Sequence, residues 1–388
     1  MRCTPDADGL AVRLALASSG SRSPADADDG SVAPSDVTAS APSSPRESLV
    51  EDPLYRDMNL AANNISMRCY RDQCPHFVAD LIYRARRDRS SPGPTLQQVW
   101  EDAALEELGR GAAEPDVEKF FQSKILPDGD PGDGLRRSDR QPMAEHAVPS
   151  TGSSLKVSTP VPDMLFGYNR QEAFPEQQAQ LISLGTEMVA NNQYQGLLYP
   201  FLVVECVGDA GSMWVATNQC LGGSASCVKV AETLNHRLRQ RDGDLVQTIN
   251  STVFSIAMSG SEARLYLTWK QDELNYHMAI VKSFLLQDPE HYLEFRKYVH
   301  NIIDWGRGAR LERIRESLDG LVEGGRTRTR AAGRTRVPPP PSADPDRSLR
   351  RIPRKRVTMP RRRPADAPMD LGPFFRQNDD GTVTWVGN

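Results

Sequence analysis

Cysteine is scarce and irregular in this sequence: six thiols, at positions 3, 69, 74, 206, 220 and 227, spread over 388 residues. That pattern excludes a disulfide-stapled fold and reads as thiols kept reduced inside a cell. Long apolar runs are missing too. No segment approaches the roughly 18 apolar residues of a membrane helix, so no membrane span is expected. An export leader is equally absent: Met1-Arg2-Cys3-Thr4-Pro5-Asp6-Ala7-Asp8 carries acids where positive charge is needed, and Arg13 interrupts the apolar run behind it. The expectation is a soluble intracellular protein.

Large apolar side chains are thinly supplied as well. Only 38% of residues are hydrophobic and 29 are proline, with the deficit concentrated at the two ends. Ser18 to Ser48 is Ser, Ala, Pro and Asp with almost nothing to bury, which cannot offset the entropy of ordering. The stretch from about Gly324 onward, with Pro338 to Pro341 inside it, reads the same way. The expected organisation is a disordered tail over 1–49, one domain over 50–320 and a second disordered tail over 321–388. The middle is long enough for a sizeable core. Within it, 126–154 is polar and rich in Gly, Pro and Asp, and is expected to be a long loop.

Charge divides along the same lines. Arg326 to Arg363 holds 14 Arg or Lys against 2 Asp, while the chain as a whole carries −4 and the stretch 51–325 carries −10. A globular nucleic-acid binder usually has its own basic surface. Here the positive charge sits on the tail, densest at Arg350-Arg351-Ile352-Pro353-Arg354-Lys355-Arg356 and Arg361-Arg362-Arg363. That density suits nuclear import or sequence-indifferent nucleic-acid binding, or simply a charged tail with no dedicated partner.

Periodicity predicts an α/β body. Phe77, Val78, Leu81 and Ile82 place a helix over 76–89, and Thr95 caps another running through Val99, Ala103, Leu105 and Leu108. Glu114-Pro115-Asp116 opens a short helix with Val117, Phe120 and Phe121. Val157 to Tyr168 is a weak strand candidate holding two prolines. Helices are expected over 175–191 and 217–239, with a buried strand over 199–207 between them. Thr252 to Met258 and Ala263 to Trp269 form a hairpin around Ser259-Gly260-Ser261-Glu262. Tyr276 to Leu286 reads as a third strand or a helix, with strand the preferred reading, and Asp288-Pro289-Glu290 starts a helix. Alternating strands and helices favour a mixed central sheet flanked by helices.

Two acids carry the chemistry. Asp163 follows Pro162 at the start of one strand, and Glu205 ends the apolar run Phe201-Leu202-Val203-Val204, where burial of an acid is otherwise costly. If the two strands pair, the carboxylates can hold Mg²⁺, which orients a water and stabilises charge on a phosphate. The bland alternative is a Glu205 that faces solvent or pairs with a structural Arg.

From about Tyr55 to Leu318 the sequence resembles a large fungal family of unknown activity. The resemblance rests on Leu60-Ala61-Ala62-Asn63-Asn64-Ile65, Arg137-Ser138-Asp139-Arg140-Gln141-Pro142-Met143, Pro160-Val161-Pro162-Asp163-Met164-Leu165, Met213-Trp214-Val215-Ala216-Thr217-Asn218-Gln219-Cys220 and Gly222-Gly223-Ser224-Ala225. That family's pattern has Glu-Phe-Lys where this chain has Glu205-Cys206-Val207. The complete signature is similar to the PD-(D/E)xK nuclease-like superfamily. The resemblance implies a restriction-endonuclease-like sheet, metal ligands at Asp163 and Glu205, and a helical Gln at Gln219. Val207 departs from it, having no amine to orient a water. Lys229 on the following helix, or Lys270 at a strand end, would have to compensate, and Glu118 or Glu101 would complete the metal shell.

Remaining constellations are weaker. Cys69, Cys74 and His76 offer three zinc-type ligands without a fourth. Ser224 after Gly222-Gly223 meets neither the nucleophile-elbow nor the phosphate-loop pattern, and tight helix packing explains those glycines. The sequence therefore leads to a nuclease-like protein with weakened or absent catalysis, acting on or near nucleic acid through the tail Arg326 to Arg363. The competing reading is a nuclear scaffold built on the same fold.

Overall fold

A computed structural model of the chain describes residues 49–69, 72, 74–129, 132–191, 196–242, 248–321, 375–377 and 383–385. The expected N-terminal tail and the arginine-rich stretch Arg326 to Arg363 lie outside these residues, Leu49 apart. Late in the expected C-terminal tail, Phe375–Gln377 and Val383–Trp385 pair as a short antiparallel ribbon.

Seven strands form one mixed sheet: β1 (Ile65–Arg68), β2 (Leu135–Asp139), β3 (Met164–Tyr168), β4 (Leu198–Cys206), β5 (Val253–Met258), β6 (Glu262–Lys270) and β7 (Tyr276–Leu285). Their order is β1-β7-β6-β5-β4-β3-β2. The pairs β1/β7 and β4/β5 are parallel, and the others antiparallel. Seven helices concern the argument: α1 (His76–Arg86), α2 (Leu96–Trp100), α3 (Ala103–Gly109), α4 (Glu114–Phe120), α5 (Gln178–Leu184), α6 (Met213–Asp242) and α7 (Pro289–Trp305).

Side-chain alternation along the central strands separates the two helical layers. Phe254 of β5 meets Trp305 of α7 edge to face. Its neighbour Ser255 points the other way, toward Met278, which Ser224 of α6 also approaches. Thr217 and Ser224 of α6 bond Tyr266 and Thr268 of β6. The 30-residue helix α6 lies close on the sheet because Gly223 is small: a Cβ there would stand 3.3 Å from the Val203 side chain. The expectation of tight packing for Gly222-Gly223 holds in this form.

Several boundaries move for identifiable reasons. The strand expected from Val157 begins only at Met164, since Pro160 and Pro162 offer no N–H to a neighbour. Their carbonyls still serve, accepting from Met143 and Arg140. The expected loop over 126–154 contains β2, an edge strand of Leu135-Arg136-Arg137-Ser138-Asp139 with little apolar signal. The segment read as one helix after Thr95 is two, because Asp102 caps a new helix by accepting from Ala104 N–H at 2.9 Å. Thr95 does form a capping box with Gln98, and Asp288 caps α7. The helix expected over 175–191 ends at Leu184, where Gly185 takes φ +79°.

Candidate functional site

Strand register builds the site. Asp139 pairs with Met164, and Met164 with Val204. One residue further along, Arg140, Asp163 and Glu205 stand at the same end of three adjacent strands. The Arg140 N–H donates to the carbonyls of Pro162 and Asp163 at 2.9 and 3.2 Å. Arg140 itself holds φ +50°, in the left-handed region that few non-glycine residues adopt.

The two acids that the sequence singled out occupy different environments. Asp163 accepts the backbone N–H of Cys206 at 2.7 Å, and its side chain is 12% exposed at the floor of a groove. Burial raises its pKa above the usual carboxylate range, against the pull of the Cys206 N–H and Arg140. Glu205 is 2% exposed and lies behind the groove on the α6 side, near Cys220. Burial pushes its carboxyl well above the ordinary range, the Asp163 charge adds to this, and a backbone hydrogen bond from Asp163 opposes it. Its environment therefore favours the neutral acid.

A second layer of carboxylates arrives on α4. Glu114 and Glu118 stand one helical turn apart, and their oxygens lie within 4.8 Å of one another and of an Asp163 oxygen. Backbone contacts seat α4 there. Asp209, just past β4, accepts the Ala112 N–H at 3.0 Å and donates its own N–H to the Ala112 carbonyl at 3.0 Å. Gly208 permits the approach, since a Cβ at that position would come 2.8 Å from the Glu114 nitrogen.

Arg140 sits among these acids. Its Nη2 donates to Glu114 at 2.8 Å and to Glu118, and its Nε reaches Asp163 at 3.4 Å. Despite the guanidinium, the Glu118 pKa is raised, first by burial and then by the charge of Asp163. The Arg140 pKa is correspondingly raised: burial works against it, but Glu118, Asp163 and Glu114 together outweigh burial.

Gln219 of α6 lines the same groove, which encloses about 1390 Å³ and is walled by Tyr55, Val161, Val207 and Trp214 among others. Arg140 is the one Lys or Arg in that lining among the described residues. Lys229 is a correction. It stands ten residues beyond Gln219, about 15 Å along the helix, and its Nζ donates to the Val148 carbonyl at 2.8 Å. Lys270 lies 5.8 Å from the Tyr276 ring at the opposite end of β6. Neither amine replaces the one that Val207 lacks. Glu118 joins the acid cluster, as one of the two alternatives for completing the shell, whereas Glu101 accepts from Gln97 on the surface. Cys69, Cys74 and His76 do not gather as a metal-binding group among the described residues, and His76 pairs with Asp80 at 3.1 Å.

Sequence reading missed Glu114 and Arg140. Glu114 carried a faint signal, lying one turn before Glu118. Arg140 stood inside a stretch singled out for resemblance, but nothing in its neighbours announced an ion cluster.

Fold and site thus define a mixed α/β domain with an acid-floored groove at one end of its sheet. The profile of a domain of unknown function (DUF7924) matches residues 111–318, more than half of the chain, and the chain belongs to that family. The matched span contains Glu114, Glu118, Arg140, Asp163, Glu205 and Gln219, whereas β1 and α1 to α3 precede it. No curated protein matches the chain.

Proposed function

We propose that this domain has the plan of a metal-dependent phosphodiesterase of the PD-(D/E)xK kind, with cleavage weakened or lost, and that it acts on or beside nucleic acid. The observation that carries the reading is the convergence of Asp163, Glu118 and Glu114 beside the buried Glu205, at one end of the antiparallel β3–β4 pair. An all-oxygen donor set of this kind suits Mg²⁺ or Mn²⁺. Asp163 is the anchoring ligand because the Cys206 N–H fixes its other oxygen, and Glu118 and Glu114 close the shell from α4. Such an ion, when bound, supplies Lewis-acid stabilisation of a phosphate oxygen.

Weak catalysis follows from what stands nearby. Val207 has no amine, and Arg140, which stays protonated, cannot act as a base. The burial that raises the Glu205 carboxyl also disfavours the charged form in which it would serve as a ligand. The groove retains the means to bind a cation, but among the described residues its lining holds no lysine to orient a water. A robust Mg²⁺-dependent nuclease activity abolished by Glu205→Ala would overturn this part of the reading.

The arginine-rich stretch from Arg326 to Arg363 supplies the nucleic-acid contact and a nuclear address. Its 14 basic residues against 2 acids also support the second reading, a nuclear scaffold that keeps the fold without any chemistry. Thermal stability separates the two. A ligand that binds only the folded state stabilises it, by about 2.7 kcal/mol at 100 times its Kd. Millimolar Mg²⁺ or Mn²⁺ is expected to raise the Tm, Asp163→Asn to remove the shift, and Lys229→Met to leave it intact. No shift with either ion favours the scaffold.

A further inference from the structure

We infer that Arg140 is a built-in counter-ion holding the place of the divalent cation, so that metal binding requires its guanidinium to leave. The inference rests on the metal reading above and concerns how access to that site is controlled.

Three observations carry it. The guanidinium contacts the same three carboxylates that converge as metal ligands: Nη2 serves Glu114 and Glu118, and Nε serves Asp163. Arg140 takes one oxygen of each carboxylate, and the second Asp163 oxygen accepts the Cys206 N–H, so an ion drawn to these acids meets oxygens already engaged and a guanidinium charge of its own sign.

Burial is asymmetric in the direction an exchange needs. Glu118 and Asp163 are 16% and 12% exposed, while the Arg140 and Glu114 side chains at the outer side are 49% and 46% exposed. Asp163 is pinned by the Cys206 N–H, and Glu118 is carried by a helix. Among the described residues, Arg140 is joined to the site by its own ion pairs and the last backbone bonds of an edge strand. The guanidinium can swing to solvent without opening the core.

The backbone supplies the third observation. Arg140 lies in the left-handed region at φ +50°, a conformation that costs a non-glycine residue energy and persists where surroundings impose it. That turn, with the Arg140 N–H held by the carbonyls of Pro162 and Asp163, delivers the side chain to the acids.

The test titrates Mn²⁺ and Mg²⁺ calorimetrically into the full-length protein and its Arg140→Gln and Arg140→Lys variants. Arg140→Gln is expected to bind Mn²⁺ at least tenfold more tightly than wild type. Arg140→Lys should fall between, because a single ammonium cannot fork across three carboxylates, and its retained charge guards against failure to fold. Equal affinities in all three proteins overturn the inference while leaving the metal reading in place. Absence of binding in all three, with Arg140→Lys folded by circular dichroism, removes the metal reading and the inference with it.

Discussion

Glu205 offers the sharpest physical test of the buried end of the groove, through Glu205→Gln. Burial raises the Glu205 carboxyl, so the folded protein holds this proton to higher pH than the unfolded chain does. Above about pH 4.3, where an unfolded Glu ionises, the native state then binds more protons than the unfolded state. The Glu205 contribution to stability falls as pH rises, by ~1.4 kcal/mol per pH unit while the proton is retained. A group that stays protonated throughout loses up to about 2.7 kcal/mol between pH 5 and pH 7. Burial raises Asp163 and Glu118 in the same direction, so they add slope of the same sign to wild type and variant alike. The difference between the two curves therefore reports Glu205 together with its coupling to Asp163. Gln keeps the size and a neutral polar head but cannot titrate. Urea denaturation of both proteins at pH 5, 6, 7 and 8 without divalent metal should show the variant gaining on wild type as pH rises. Parallel curves would refute a proton held at Glu205. So would a uniform loss of about 3–5 kcal/mol at every pH, the cost of breaking a buried ion pair.

Two further outcomes are expected, one from the seating of α4 and one from the charge of the sequence. Gly208→Ala places a methyl 2.8 Å from the Glu114 nitrogen and 2.9 Å from the Ala112 carbonyl oxygen, both backbone atoms, so the start of α4 must shift. Overpacking of this kind costs about 1–3 kcal/mol; the variant should lose that stability in urea and most of any Mg²⁺-induced Tm gain, and a silent substitution would mean that α4 is not seated as described. Binding to DNA or RNA of arbitrary sequence should weaken steeply with salt and vanish on truncation after Gly325, read by fluorescence anisotropy; a truncated protein binding as tightly as the full chain would move the contact to the body.

Much of the architecture could be read from residue pattern because it depends on local rules. The apolar run ending at Glu205 gave β4 within a residue, the turn at Ser259-Gly260-Ser261-Glu262 gave the β5–β6 hairpin, and Asp288-Pro289 opened α7 where a capping acid and proline should. β1 and β2 went unseen because each is a short edge strand, β1 only four residues long and β2 largely polar, whose identity comes from its partner. The same division runs through the site. Asp163 and Glu205 were legible one by one, as acids at the ends of strands. That Glu205 would be buried behind the groove, that α4 would bring Glu114 and Glu118 to Asp163, and that Lys229 would turn away to the Val148 carbonyl were decided by packing. So was the seat of Arg140 among three acids. Charge clusters form from residues far apart in the chain, and their partners are chosen by the register of a sheet and the seating of a helix, which no local pattern encodes.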